Sequence, residues 1–146
     1  MNKRNNQYYK KFEDIMAFVG QYGKPHLWII HTLNVGCDDV RDPLRPGEQP
    51  WDRPDILVRV FHIRNKALLD EIIKDRIFGE VEAYTSVIEF QKRGAPHSHS
   101  LIWLKDFDLT VGNIDGMISA EIPPEGDPGT PERILHDLVK EHMLPP

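Results

Sequence analysis

The chain has a single cysteine, Cys37, in 146 residues. One thiol forms no internal disulfide and builds no cysteine-rich zinc site. It suits a reducing intracellular compartment, where disulfides are rare. Long apolar runs are also missing, and crossing a bilayer as a helix takes about 20 such residues. No membrane partner is therefore expected. The N-terminal stretch MNKRNNQYYKK is polar, so it lacks the apolar segment of a secretory signal peptide. Positive charge is scarce: the formal net charge is −5 and the pI is near 5.8. That excludes a generic basic coat for nucleic acid. It leaves room for a local phosphate site, since a small basic cluster or a bound cation dominates its own surroundings. Repeats, low-complexity tracts and linkers are absent too. The length is that of one domain, so residues 1–146 are expected to form a single unit with a core that needs no covalent staple.

What is present is a readable alternation of patterns. Tyr8, Phe12, Ile15, Met16 and Val19 recur at helical spacing, and Gly20, Gly23 and Pro25 end the run. HLWIIHTL, from His26 to Leu33, is short and rich in β-formers, which predicts a strand buried on both faces. A long, proline-rich loop follows, of the kind that often carries function. Ile56, Leu57, Val60, Phe61, Leu68, Ile72 and Ile73 make an apolar stripe on a helix from about Asp55 to Phe78, with Gly79 as its C-cap. Glu80–Gln91 and His97–Leu104 read as two strands around a turn at KRGAP, and Ile118–Ile122 as a short further strand. Thr130 caps a last helix with Pro131 at its first position and Ile134, Leu135, Leu138 and Val139 on one face. The order predicts an α+β fold: a central antiparallel sheet with helices packed on it.

The polar residues of the paired strands stand out. Side chains alternate along a strand, so His97 and His99 point the same way, as do Glu89 and Gln91. With KRGAP as the whole turn, Gln91 falls opposite His97 and Glu89 opposite His99, and cross-strand neighbours are about 5 Å apart. Two imidazoles and a carboxylate then converge, as a divalent cation requires. Three protein ligands with open positions mark a catalytic site. Such a set accepts Mn²⁺ or Zn²⁺; Mg²⁺ prefers oxygen ligands but is abundant. Two solvent-facing histidines on a hairpin would equally give His-x-His. The carboxylate opposite favours a metal, because an unpaired carboxylate is costly to bury. Lys92 and Arg93 are turn residues placed to meet a phosphate. Asp38 and Asp39 are adjacent and do not converge, and His31 is assigned to strand packing. His26, His62, His136 and His142 have no partner at ligand spacing, and Cys37 has no activating neighbour.

The segment VIEFQKRGAPHSHSLIWL closely resembles the one that defines the helicase-like N-terminal domain of Helitron transposases, which belong to the HUH endonucleases. YGKPHLWIIHTLN resembles that family's first strand motif, and PGEQPWDRPDILVRVF its Gln…Arg-Pro-Asp helix start. ISAEIPPEG and ILHDLVKEHM are similar to the segments that follow. The resemblance implies an HUH (Rep)-like fold. It implies that His97 and His99 are metal ligands, with Glu89 or Gln91 as the third, and Mg²⁺ or Mn²⁺ as the ion. It implies single-stranded DNA as substrate, met by Lys92, Arg93, Thr32 and Asn34. In the family a tyrosine attacks the strand, leaving a 5′-phosphotyrosine and a free 3′-OH, and a helicase domain follows on the same polypeptide. A nuclear location goes with that activity. Four features depart from the pattern. Tyr8, Tyr9, Tyr22 and Tyr84 all precede the histidines, whereas the family's nucleophiles follow them. Ser98 stands where a hydrophobe is named in the motif. Ile30, His31 and Val35 intrude in the first strand motif, where only Thr32 and Asn34 fit. Pro145 and Pro146 replace the family's next segment. The expectation is a domain incomplete at its C-terminus that keeps the metal half of the site without the nucleophile. The alternative is an inactive remnant that binds single-stranded DNA or a partner.

Overall fold

The computed structural model describes residues 3–91 and 94–143, with side chains described from residue 13 onward, residue 142 excepted. Lys92 and Arg93 lie outside the described residues. The fold is α+β, as expected: three antiparallel strands and five helices among the described residues. Two compact units divide the chain, residues 1–107 and 108–146.

In the first unit, α1 (Lys3–Tyr22) leads to β1 (Leu27–Thr32). Gly23 ends α1 at φ 75°, and its N–H donates to the Val19 carbonyl at 2.9 Å; glycine reaches this left-handed cap without a Cβ penalty. After α2 (Asp38–Arg41) and a 3₁₀ turn (Pro50–Asp52), α3 runs over Pro54–Ile73. β2 (Val81–Phe90) and β3 (Pro96–Leu104) complete a sheet of order β1-β3-β2.

Three expectations for the first unit need correction. The helix α3 ends at Ile73, short of Phe78. Its exit turn passes through Arg76 at φ 57°, and Gly79 closes that turn by donating to the Arg76 carbonyl. β1 is buried on one face only, for Trp28 and Ile30 are exposed. The long loop is not structureless: α2 inserts Val40 into a cluster with Leu33, Leu57 and Phe61, edged by Val35, Cys37 and Val60.

The other half of the core centres on Trp103, which is fully buried. Phe18 and Tyr22 of α1 pack on its ring at centroid distances of 5.7 and 6.2 Å, and its Nε1–H donates to the Gly23 carbonyl at 2.9 Å. Burying an indole with its N–H satisfied combines a large apolar area with no orphaned donor. His26 locks the same end of the sheet, since its Nδ1 accepts from the Leu104 N–H at 2.9 Å and its ring meets Phe107 edge-on.

In the second unit, Thr110 caps α4 (Val111–Met117), and Thr130 caps α5 (Pro131–His142) by accepting from the Arg133 N–H at 3.3 Å. The strand expected at Ile118–Ile122 does not form. The Ile118 N–H turns back to the Ile114 carbonyl at 2.8 Å, which spends it on closing α4. The apolar face of α5 forms as expected, but Ile134, Leu135 and Leu138 are exposed. His136 faces inward, its Nδ1 2.7 Å from the Pro123 carbonyl. No helix among the described residues is long and apolar enough to cross a membrane.

Replacing Trp103 with alanine removes the anchor between α1 and the sheet, and is expected to cost about 3–5 kcal/mol in chemical unfolding. A smaller, pH-dependent effect belongs to the start of α3. The Arg53 guanidinium forks onto the Asp55 carboxylate at 3.0 and 2.8 Å and holds its pKa below the usual 3.8. A depressed carboxyl stabilises the fold above its unfolded pKa and loses that contribution as pH falls through the folded value. Asp55→Asn should therefore flatten the stability profile below about pH 4 and leave its shape near neutrality unchanged, as thermal melts across pH will show.

Candidate metal site on the open face of the sheet

The placement of the site follows from β3 having two unlike faces. Pro96, Ser98, Ser100, Ile102 and Leu104 form one row, and all are buried. Helix α3 covers this row. The serines are tolerated there because each finds a partner, as buried hydroxyls must. Ser98 Oγ donates to Asn65 Oδ1 of α3 at 2.6 Å, and Ser100 Oγ donates to Ser86 Oγ at 3.0 Å. His31 lies on this same side, its Nδ1 3.2 Å from Asn65 Oδ1 and its ring stacked on Phe61 at 5.3 Å. Asn65 Oδ1 can only accept, so His31 carries its proton on Nδ1. This places His31 in packing, as expected, away from the ligands.

His97 and His99 occupy the opposite row. β1 presents Thr32 opposite His97 and Ile30 opposite His99. β2 presents Glu89 opposite His97 and Val87 opposite His99. The expected register, Gln91 with His97 and Glu89 with His99, is thus off by two residues. The cause is the turn. The Gln91 carbonyl accepts from Gly94 N–H at 2.8 Å and the Gln91 N–H donates to the Ala95 carbonyl at 3.0 Å, with Gly94 at φ 80°. A glycine in the left-handed region closes a three-residue loop, so Ala95 and Pro96 belong to the strand side rather than the turn. Pro96 is accepted at the first position of β3, where a missing N–H is least harmful.

Glu89, His97 and His99 still meet. Glu89 Oε2 lies 3.4 Å from His97 Nε2 and 3.6 Å from His99 Nε2. The ligand atoms of all three fall within 4.8 Å of one another. Ligands about 2.1 Å from a shared tetrahedral ion stand about 3.4 Å apart. Direct N–H···O hydrogen bonds are shorter, at about 2.7–3.2 Å. The two Glu89 distances are near this spacing, so the three groups could share one cation. His97 is largely buried, with 14% of its side chain exposed, whereas Glu89 is 59% exposed. The imidazoles thus form the floor and the carboxylate the rim, with one side open. The two imidazole rings sit 4.8 Å apart, and Trp28 stacks on His99 at 6.1 Å. His97 Nδ1 is buried without a hydrogen-bond partner among the described residues. Coordination through Nε2 requires Nδ1 to carry the proton, so this ring would bind without the usual acceptor behind it.

The remaining candidates spread around this centre. Gln91 pairs with Ala95, one step nearer the turn than Glu89. Asn34 caps the loop after β1, its Oδ1 accepting from the Gly36 N–H at 2.9 Å. Asp39 is taken up by Arg64 at 2.6 Å. Tyr22 is packed on Trp103, and Tyr84, which pairs with Ile102, belongs to the row facing away from the histidines. Tyr8 and Tyr9 lie outside the residues whose side chains are described. Two participants were not anticipated from the sequence: Asn65, which anchors Ser98 from behind, and Trp28, which flanks His99. Ser98 and Ser100 alternating with buried apolar residues were the available signal for the first.

The profile of one known family, described as the Helitron helicase-like domain at N-terminus, matches residues 3–102. The matched span takes in β1, α3, β2 and all three residues of the triad. The chain belongs to this family. A search of curated proteins finds no match. Membership ties the chain to Helitron transposases and so to a DNA-related role in a helicase context. In this Helitron helicase-like domain Asn65 holds Ser98, the residue between the two histidines, from the opposite face of the sheet. Asn65→Ala would strand the Ser98 hydroxyl and the His31 Nδ1–H, and is expected to cost about 1–3 kcal/mol. Denaturant unfolding checks the cost.

Proposed function

We propose that this Helitron helicase-like domain is a Rep/HUH-type, metal-dependent module for nicking and transferring single-stranded DNA. Glu89, His97 and His99 hold the ion, either Mg²⁺ or Mn²⁺, and Glu89 rather than Gln91 is the third ligand. The observation that carries the reading is the meeting of two imidazole Nε2 atoms and one carboxylate oxygen on an open sheet face at ion-sharing distances. When bound, the ion polarises the scissile phosphate and offsets charge that develops on it. The protein's part is positioning. The strand pair holds His97 and His99 rigidly, and the exposed Glu89 leaves the approach free. Thr32, beside His97, and Asn34 at the end of β1 would orient the strand, with Lys92 and Arg93 meeting its phosphates. The nucleophile is a separate matter, because Tyr22 and Tyr84 are both placed away from the triad. Work on DNA in the company of a helicase fits a nuclear location.

A second reading has its own support. Trp28 is 66% exposed and stacked beside His99, which suits a module that holds a single strand without cutting it. Metal dependence separates the two.

Calorimetric titration with Mn²⁺ should show one site in the wild type. The site should be lost in His97→Ala/His99→Ala and weakened at least about tenfold in Glu89→Gln. Equal Mn²⁺ affinity in all three proteins would sink the metal reading. If a covalent adduct with single-stranded DNA forms, Tyr22→Phe and Tyr84→Phe should leave its yield unchanged on denaturing gels. An adduct abolished by either substitution would show that the nucleophile had been misplaced.

A further inference from the structure

The loop between β1 and α3 encloses an open pocket of about 550 Å³. Arg41, Arg45, Gln49 and Trp51 line it, with Val35 and Glu48. Among the described residues, neither Arg41 nor Arg45 has a carboxylate within ion-pair distance, although the chain as a whole is acidic. The one carboxylate in the wall is already engaged: Glu48 Oε2 accepts from the Arg45 backbone N–H at 2.9 Å and lies 3.6 Å from the Arg53 guanidinium. Among the described residues, two arginines without a carboxylate partner therefore line a pocket whose one lining carboxylate is already engaged. Trp51 adds an indole that is 55% exposed. An unpaired cation pair beside an exposed aromatic is the chemistry that takes a phosphate and stacks the base attached to it.

The pocket also stands in the right place. Val35 follows Thr32 by three residues, a reach of at most about 11 Å. Thr32 is the partner of His97. The Arg41 guanidinium reaches back toward the strand end, for a Cβ on Gly36 would lie 3.7 Å from Arg41 Nη2 and 3.2 Å from Asn34 Oδ1. A strand whose phosphate sits at the triad could thus reach the pocket within a few nucleotides.

We infer that the Arg41–Arg45–Trp51 pocket is a second contact for single-stranded DNA, gripping a phosphate and a stacked base next to the metal site. The inference rests on the nicking-module reading for its ligand, but the pocket works without the ion. The test is fluorescence anisotropy of a labelled oligothymidine with the full chain, in excess chelator so that the triad contributes no metal. Arg41→Gln/Arg45→Gln should weaken binding about tenfold or more and reduce the salt slope by about 0.7, one phosphate's worth. Arg41→Lys/Arg45→Lys should keep the slope. Trp51→Ala should weaken binding about tenfold, and Trp51→Phe should restore most of it. Circular dichroism melts confirm that each variant is folded, and Arg45→Gln alone serves if the double variant is not. Wild-type binding that all variants share, with an unchanged slope, overturns the pocket and leaves the metal site standing. Equal losses on duplex DNA overturn its assignment to single strands. A wild type that binds no single-stranded DNA in chelator overturns the pocket and leaves the metal-dependent nicking reading standing.

Discussion

β3 is hydrogen-bonded on both sides, to β1 and to β2, and its register decides what every neighbouring side chain meets. Its alternation sends Ser98, Ser100, Ile102 and Leu104 into the packing against α3, and sends His97 and His99 to the open side. A shift of one residue would exchange those rows. It would bury two imidazoles against α3 and take Ile102 out of that packing. The hydrophobic cost of that exchange, and the Ser98–Asn65 hydrogen bond at 2.6 Å, hold the two histidines where they are.

The face of the sheet that packs against α3 supplies much of the core, through the buried row of β3 and the cluster of Leu33, Val40, Leu57 and Phe61. On the histidine face, Trp103 is buried against α1 at the far end of β3, and the end that carries His97 and His99 is left for polar chemistry. Between these anchors, Glu89, His97 and His99 do not have to contribute to burial. Their donor atoms stand slightly too far apart to satisfy one another directly, at 3.4 and 3.6 Å. That spacing is compatible with a shared cation, as proposed above. The loop that carries Val40 into the core also displays Arg41 and Trp51 to solvent, so one segment serves both packing and the edge of the site.

Legibility in the sequence followed the range of the interactions involved. Helical spacing in α3 and α5, the Thr130 cap and the two strands flanking KRGAP were plain, because each depends on neighbours a few residues away. The register of Glu89 was not. It depended on whether Gly94 would close a three-residue loop or the turn would run through Pro96, a matter of one φ angle. The error was two residues, an even number, so the face was preserved and the same three residues converged. Trp28 and Ile30 show a different failure: an apolar strand suggests burial on both sides, yet only one layer of helix covers this part of β1. The Ile118–Ile122 stretch read as a strand because its β-branched residues have that preference, but its first N–H was claimed by α4.

By itself the sequence determined the class of fold, the family, and a short set of candidate ligands, His97 and His99 with Glu89 or Gln91, since alternation and a long specific motif are properties of the chain alone. Tertiary structure decided the rest. It set Glu89 rather than Gln91 opposite His97, through the turn geometry. It recruited Asn65 from 33 residues away to hold Ser98, and it gathered Arg41, Arg45 and Trp51 around one pocket. None of these has a periodic trace in sequence. Each depends on where a folded segment comes to rest against another, and that is fixed by the packing of the whole unit rather than by local preference.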